Sequence, residues 1–386
     1  MYHVFFFILL FSSTYEFFSK SKNRLGVILF LLLLAFVTLR YGQGSDYFSY
    51  IYLFTSSADT FETYIKTHDL SYITQEIGFS AISYFWIKIL HLSPETLSAL
   101  FSSVSFFFVW LFIKKYSAKP ITSLFFFYCT FFLIYPFSAI RQGVCLAIFI
   151  YYLIPLLQNK KYIKYYLLSL LLFTIHYSSI ILFIIPLVTL VKKYNLSQVF
   201  LVSFITFVIG ILVYKFLFSF FSALDIIGSK VEAYTTNNSL DILSLLLRTI
   251  IFIPIILNYK LYERNSLRDL FLKIYIFGFF LYFLFMASSL ISSRINVFMR
   301  YFEIILLVDF LVYVFKRTSN KLISYVYIFS IMSVLYVKNI SSIIDQGPYY
   351  AQINFYNYPY VSVFNKKKII ETRYIPPYYQ QYVIYD

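Results

Sequence analysis

The sequence predicts an all-α fold, a polytopic integral membrane protein with about 10–12 transmembrane helices, re-entrant segments included. Three observations carry that expectation. Of 386 residues, 60% are hydrophobic and only 13% charged, against roughly a quarter charged in a soluble domain. Apolar runs of helical length recur from one end of the chain to the other. Short clusters of lysine and arginine separate them, as topology signals do. A transmembrane β-barrel would instead show roughly ten-residue alternating segments, which are missing.

The net charge of +15 lies in these dispersed clusters and forms no single patch, so it does not point to nucleic acid. Cys129 and Cys145 both fall in apolar runs and suggest neither a disulfide nor a metal site. The first run, MYHVFFFILLFSS, precedes its basic residues Lys20, Lys22 and Arg24. It therefore reads as a first span entering from outside, not as a cleavable signal.

The clusters at Lys20–Arg24, Lys114–Lys119, Lys160–Lys164, Lys192–Lys193, Lys260–Arg268 and Lys316–Lys321 thread the chain if all are cytoplasmic. Spans then fall near 3–18, 25–39, 96–113, 121–136, 142–157, 197–219, 241–258, 269–290, 301–315 and 322–337. Residues 77–91 are short, hold Lys88, and read as a re-entrant or interfacial helix. Residues 165–191 are too long for one crossing. As a straight helix they would measure about 40 Å against about 30 Å of hydrocarbon. A break near His176, with Ser178 and Ser179 satisfying the freed backbone, returns the chain to the side it left. This threading makes one transmembrane domain of 1–337, with an external acidic loop at 40–76 and an external tail at 338–386. Residues 137–141, 220–240 and 291–300 are the other outer segments.

Ionisable groups at membrane depth are costly, by about 2.5–3.5 kcal/mol on insertion scales. Arg40, Arg141, Arg294 and Arg300 all fall near outer span ends, Arg248 lies inside the seventh span, and His176 sits at the proposed break. Interface snorkelling accounts for any one of these arginines. Four beside a histidine suggest an external cavity for a polyanion such as a lipid-linked pyrophosphate, which guanidinium forks grip in bidentate fashion. In RYGQGSDYFSYIYLF (residues 40–54), Gly42 and Gly44 permit a tight turn. Asp46, Tyr47 and Tyr50 then follow on an amphipathic helix, as a sugar-binding surface or as an interfacial aromatic belt. Walker, dinucleotide, HExxH and nucleophile-elbow motifs are lacking, and no metal or cofactor is implied.

The order RYGQGSDYFSY, QEIGF, AIRQGVCLAI, FTIHYSSIILF and RINVFMRYFE resembles the EpsG family of Wzy-like polysaccharide polymerases over roughly residues 24–310. Ser45 departs from the threonine common there, and the tail from 338 has no counterpart. The resemblance implies a helical core similar to membrane glycosyltransferases of the GT-C type. It implies a bacterial inner-membrane enzyme that joins repeat units of O-antigen or exopolysaccharide carried on undecaprenyl diphosphate, at the external face. Arg40, Arg141 and Arg300 would then neutralise the donor diphosphate, with Arg248, Arg294 and Gln142 also at the substrate. His176 would activate the acceptor, with Asp46 and Glu76 competing for the role of base, while Asp46, Tyr47 and Tyr50 would hold sugars. Implied partners are the lipid-linked oligosaccharide, membrane lipid, and a chain-length regulator and flippase of the same pathway. A lipid-linked oligosaccharide flippase and an O-antigen ligase-type transferase are the alternatives.

Overall fold

The computed structural model describes residues 1–18, 24–191, 193–212, 242–263, 265–286, 288–317 and 321–382. The expected outer segment 220–240 and the basic residues Lys20, Lys22, Lys192 and Arg264 lie outside them. Within the described residues the chain is helical, and its only β pairings are isolated bridges, Arg40 with Ser362 and Tyr349 with Arg373. A backbone in hydrocarbon must satisfy its own polar groups, and helices do so within one segment.

The helices are α1 (Tyr2–Phe18), α2 (Arg24–Thr38) and α3 (Tyr47–Thr67), then α4 (Ile77–Ile89), α5 (Pro94–Tyr116), α6 (Pro120–Phe132) and α7 (Ile140–Gln158). They continue with α8 (Tyr162–Ile175), α9 (Leu196–Leu212), α10 (Ile242–Leu257), α11 (Ser266–Leu284), α12 (Ser289–Arg300), α13 (Glu303–Arg317) and α14 (Lys321–Gln346). Among the described residues three helical stretches are long and apolar enough to cross a membrane: α5, α7 and Tyr325–Gln346 of α14. Eight more are apolar but shorter.

Local chemistry sets the boundaries. Ser93 caps α5 by accepting from the Thr96 amide at 3.4 Å, Pro94 and Glu95 occupy the first turn, and Lys114 and Lys115 the last. That arrangement satisfies an orphan amide and complements the helix dipole at both ends. The α6 terminus is capped from another helix. The Glu16 carboxylate of α1, buried, accepts from the amides of Ile121 (3.0 Å) and Thr122 (2.8 Å) and from the Thr122 hydroxyl (2.8 Å). A buried carboxylate at a helix N-terminus fixes how α1 lies on α6.

Members of the basic clusters at 114–119, 260–268 and 316–321 meet at one end of the bundle. Arg268 donates to the Tyr116 carbonyl, Lys119 donates to the Glu16 carbonyl at 2.5 Å, and Phe18 packs on Phe315 beside Lys316, with ring centres 5.4 Å apart. The opposite end carries the start of α1, where Tyr2 lies 4.7 Å from Tyr358 and donates to Gln43 at 2.9 Å.

The expected outer segments and the division at 338 take the following local structure. Residues 40–76 are mostly the helix α3, which starts at Tyr47 after the Gly42–Gly44 turn, because YIYLF and the following polar residues have helical spacing. Residues 291–300 belong to α12, whose first turn Ser288 caps. The division at 338 falls inside α14, which runs unbroken to Gln346. The tail beyond it is joined to the bundle. The Tyr41 amide donates to the Val361 carbonyl and the Val363 amide to the Leu39 carbonyl, both at 2.9 Å, and the Tyr360 hydroxyl donates to the Phe36 carbonyl at 2.8 Å.

Candidate functional site

The run 165–191 breaks at His176. The helix α8 ends at Ile175, His176 is extended at φ −155°, and two 3-10 segments follow, Tyr177–Phe183 and Ile185–Leu190. The Tyr165 hydroxyl donates to the Leu182 carbonyl at 2.9 Å, so the second arm runs back along the first. The returning arm is 3-10 and not the second α-helix expected. The freed backbone is satisfied differently too. The hydroxyls of Ser178 and Ser179 are buried without a hydrogen-bond partner, and the Tyr177 amide donates instead to Glu76 Oε1 at 3.3 Å.

Glu76 is the centre of this corner, at 1% exposure. Its Oε2 accepts from Arg141 Nη1 at 2.5 Å, and its Oε1 lies 3.6 Å from His176 Nδ1. It sits immediately before α4, which packs against α8. Gly78 makes the approach possible, since a Cβ there would meet Thr174 Oγ1 at 2.3 Å. The Arg141 guanidinium also lies over the Phe79 ring (4.5 Å) and the Tyr50 ring (5.6 Å). Buried charges are tolerated when paired and hydrogen-bonded, and QEIGF, the Arg-Gln pair and the His-Tyr break supply the members from three distant segments.

Gln142, next in sequence, donates to the Arg294 carbonyl at 2.7 Å and so ties α7 to α12. The returning arm after His176 also packs on α12. Arg141 and Arg294 both lie within electrostatic range of the imidazole. Helix α12 then leads to a second feature, a cavity of about 420 Å³ lined by Arg248, Arg300 and Lys338 with Tyr135, Ser138 and Ser292. Arg248, Arg294 and Arg300 all lie within electrostatic range of Tyr135.

The cations in the cavity are held differently. Arg300 is clamped by Glu303, Nε to Oε1 at 3.0 Å and Nη2 to Oε2 at 3.2 Å. Arg248 lies 3.9 Å over the Tyr282 ring, its buried Nη1 has no hydrogen-bond partner, and it makes no ion pair among the described residues. A buried guanidinium with donors to spare is costly unless a ligand uses them. Lys338 donates to Ser244 of α10. Ending the span at 337 had left Lys338 out of the candidate site. Its register with Val334, Ser341 and Asp345 on one face of α14 is the signal that finds it.

The remaining candidates fall elsewhere. Gly42 and Gly44 make the expected turn, at φ +66° and +94°. Arg40, at 4% exposure, donates from Nη2 to the Ser102 hydroxyl and the Pro136 carbonyl, both at 3.0 Å, and lies over Phe137 and Tyr47. Like Glu76, Arg141, His176 and Arg294, it does not line the cavity. Arg373 of the tail donates from Nη1 to the carbonyls of Gly42 (2.8 Å) and Gly44 (3.0 Å). Tyr47 and Tyr50 are buried, Tyr47 against Tyr41, Phe48 and Ile369, and offer no open ring face to a sugar. Asp46 is exposed beside Ser45, which lines the cavity, and makes no capping bond to α3.

Among the described residues no group of three or more His, Cys, Asp or Glu side chains is placed to hold a metal. The EpsG family model matches residues 23–362, a range that takes in Arg40, Glu76, Arg141, His176, Arg248, Arg300 and Lys338 and stops short of Arg373. No curated protein and no solved structure matches the chain.

Proposed function

Because the chain belongs to the EpsG family, we propose that it is a polysaccharide polymerase that extends O-antigen or exopolysaccharide by glycosyl transfer from an undecaprenyl diphosphate donor. The observation that carries this reading is the cavity in which Arg248 keeps a buried donor unused beside Arg300 and Lys338. Departure of a diphosphate from an anomeric carbon needs charge stabilisation at the leaving oxygens, which preorganised cations supply. In the proposed step the acceptor hydroxyl attacks the anomeric carbon and the bond to the diphosphate oxygen breaks. Its electron pair leaves with the diphosphate, and the hydroxyl proton passes to His176.

His176 suits that role because Glu76 faces its Nδ1, leaving Nε2 for the acceptor, and because an imidazole accepts a proton without a permanent charge. Glu76 itself is engaged by Arg141 and by the Tyr177 amide. It is therefore read as the residue that orients the imidazole, in place of the competing role as base.

The meeting of the clusters at 114–119, 260–268 and 316–321 at the far end of the bundle supports a cytoplasmic assignment for that end and an external one for the cavity. In bacteria this is the outer side of the inner membrane. A chain-length regulator and a flippase are its expected partners. The test is purified protein with a lipid-linked repeat unit. A ladder of products lengthened by whole repeat units supports the reading, and lipid translocation without elongation transfers it to the flippase alternative.

A further inference from the structure

Beside the cationic cavity lies a more open groove of about 590 Å³ along α14 and the start of α10. Its walls have a polarity gradient. Along α14 the wall runs from Ser333, Val334 and Val337 to Ser341, Asp345 and Gln346, and Leu243 of α10 faces it. On α14 these residues follow each other at three- and four-residue spacing, so they form one stripe down one helix face. Lys338 stands where the stripe changes character, and it donates across to Ser244 of α10. Lys338, Ser342 and Gln346 line both the groove and the cavity. The two spaces therefore meet along this strip.

A lysine in the middle of an apolar helix is expensive and marks a site by default. Here it separates an apolar trough from a cavity holding Arg248 and Arg300. Val334, Val337 and Leu243 are each exposed by about half, so the trough opens sideways, toward where membrane lipid would lie.

We propose that this groove is the lateral entry subsite for the isoprenoid chain of a lipid-linked diphosphate. The chain lies on Leu243, Val334 and Val337 while the diphosphate passes Lys338 to reach Arg248 and Arg300. The proposal rests on the polymerase reading for the identity of the head group. Charge order selects this occupant: apolar wall, single cation, then a cationic chamber match chain, neck and diphosphate in sequence. Asp345 and Gln346, about two turns beyond Lys338, suit sugar hydroxyls better than a second anion.

The test uses the full chain in nanodiscs and a probe without any sugar, so that binding is read apart from glycosyl transfer. The probe is undecaprenyl diphosphate carrying a benzophenone on an isoprene unit near the diphosphate. Labelling is expected in peptides spanning 242–257 and 330–346, displaced by unlabelled undecaprenyl diphosphate and not by phosphatidylglycerol. Val337→Trp fills the trough from an exposed position and should cut that labelling by about tenfold, equivalent to ~1.4 kcal/mol. Lys338→Gln should do the same. Leu201→Trp, on the exposed face of α9, should leave it unchanged. Labelling spread over many helices, equal displacement by phosphatidylglycerol, or indifference to Val337→Trp overturns the subsite. Polymer formation is measured separately with a sugar-bearing donor. A protein that labels in the groove and never elongates glycan would overturn the polymerase reading while leaving the subsite standing.

Discussion

Arg40 and Arg248 are both buried arginines in a chain poor in charge, and they keep different company. Arg40 gives one nitrogen to the Ser102 hydroxyl and the Pro136 carbonyl and lies on two aromatic rings. Arg373, outside the family match, binds the Gly42 and Gly44 carbonyls of the adjoining turn. In that region arginine is a strut, and its ligands are backbone oxygens and one serine hydroxyl. Arg248 has one ring, Tyr282, and a cavity in front of it. Arg40 also leaves a buried donor, Nε, without a partner, so the difference teaches that an unspent donor identifies a binding site only when a cavity lies in front of it.

The largest expected effect follows from that distinction. Arg248→Gln removes a cation from the cavity and breaks no ion pair found among the described residues. Polymerisation should fall by about 10²–10³, as for loss of one donor at a developing charge, with membrane abundance unchanged. Equal losses of abundance and activity would return Arg248 to the class of struts. Next is His176→Gln, which keeps size and hydrogen bonding but loses the titrating group. It should insert normally and slow polymerisation by about a hundredfold, the lower end of general-base contributions. Full turnover at normal abundance would end the catalytic assignment.

A smaller and different effect is expected at the strut. Arg40→Lys keeps the charge and loses the planar guanidinium, whose Nη2 reaches Ser102 and Pro136 and whose face lies over Phe137 and Tyr47. Hydrogen bonds from a charged donor contribute about 1.5–3 kcal/mol each, so the thermal midpoint in detergent should drop while turnover per folded molecule is retained. A variant of normal stability that loses turnover would place Arg40 at the diphosphate after all.

What the sequence disclosed follows from range. Helix positions came through because apolar runs and their basic borders are local, and the break at His176 because 165–191 exceeds the bilayer. Residues 291–300 read only as an outer segment between two spans, and the helix α12 there, whose first turn Ser288 caps, has no long apolar run to announce it. Lys338 was lost when the last span was cut at the first charge. The role of Glu76 required three remote segments to meet, and only its motif order hinted at that. Arg40 at a span end and Arg248 inside a span both read as candidates for the anion, because nothing local says that the Pro136 carbonyl lies opposite Arg40. The tail was unreadable because much of its attachment uses backbone carbonyls more than three hundred positions away.

The smallest expected effect tests the comparison at its boundary, where the strut region meets the cavity. Asp46 begins α3 one residue after Ser45, which lines the cavity, and it is exposed. Its carboxylate makes no capping bond, so it helps the helix only through the dipole, by about 0.3–1 kcal/mol. Asn is an equally good residue at a helix start, and Asp46→Asn should change stability by no more than about 0.5 kcal/mol. An amide still hydrogen-bonds a sugar hydroxyl, so a binding role predicts a modest rise in KM with kcat kept. A base, by contrast, has no substitute in an amide. If kcat falls about a hundredfold in Asp46→Asn and stays normal in His176→Gln, the proton goes to Asp46. The catalytic end of the site would then shift from the Glu76 corner to the rim of the cavity, with the arginines of the cavity keeping their role.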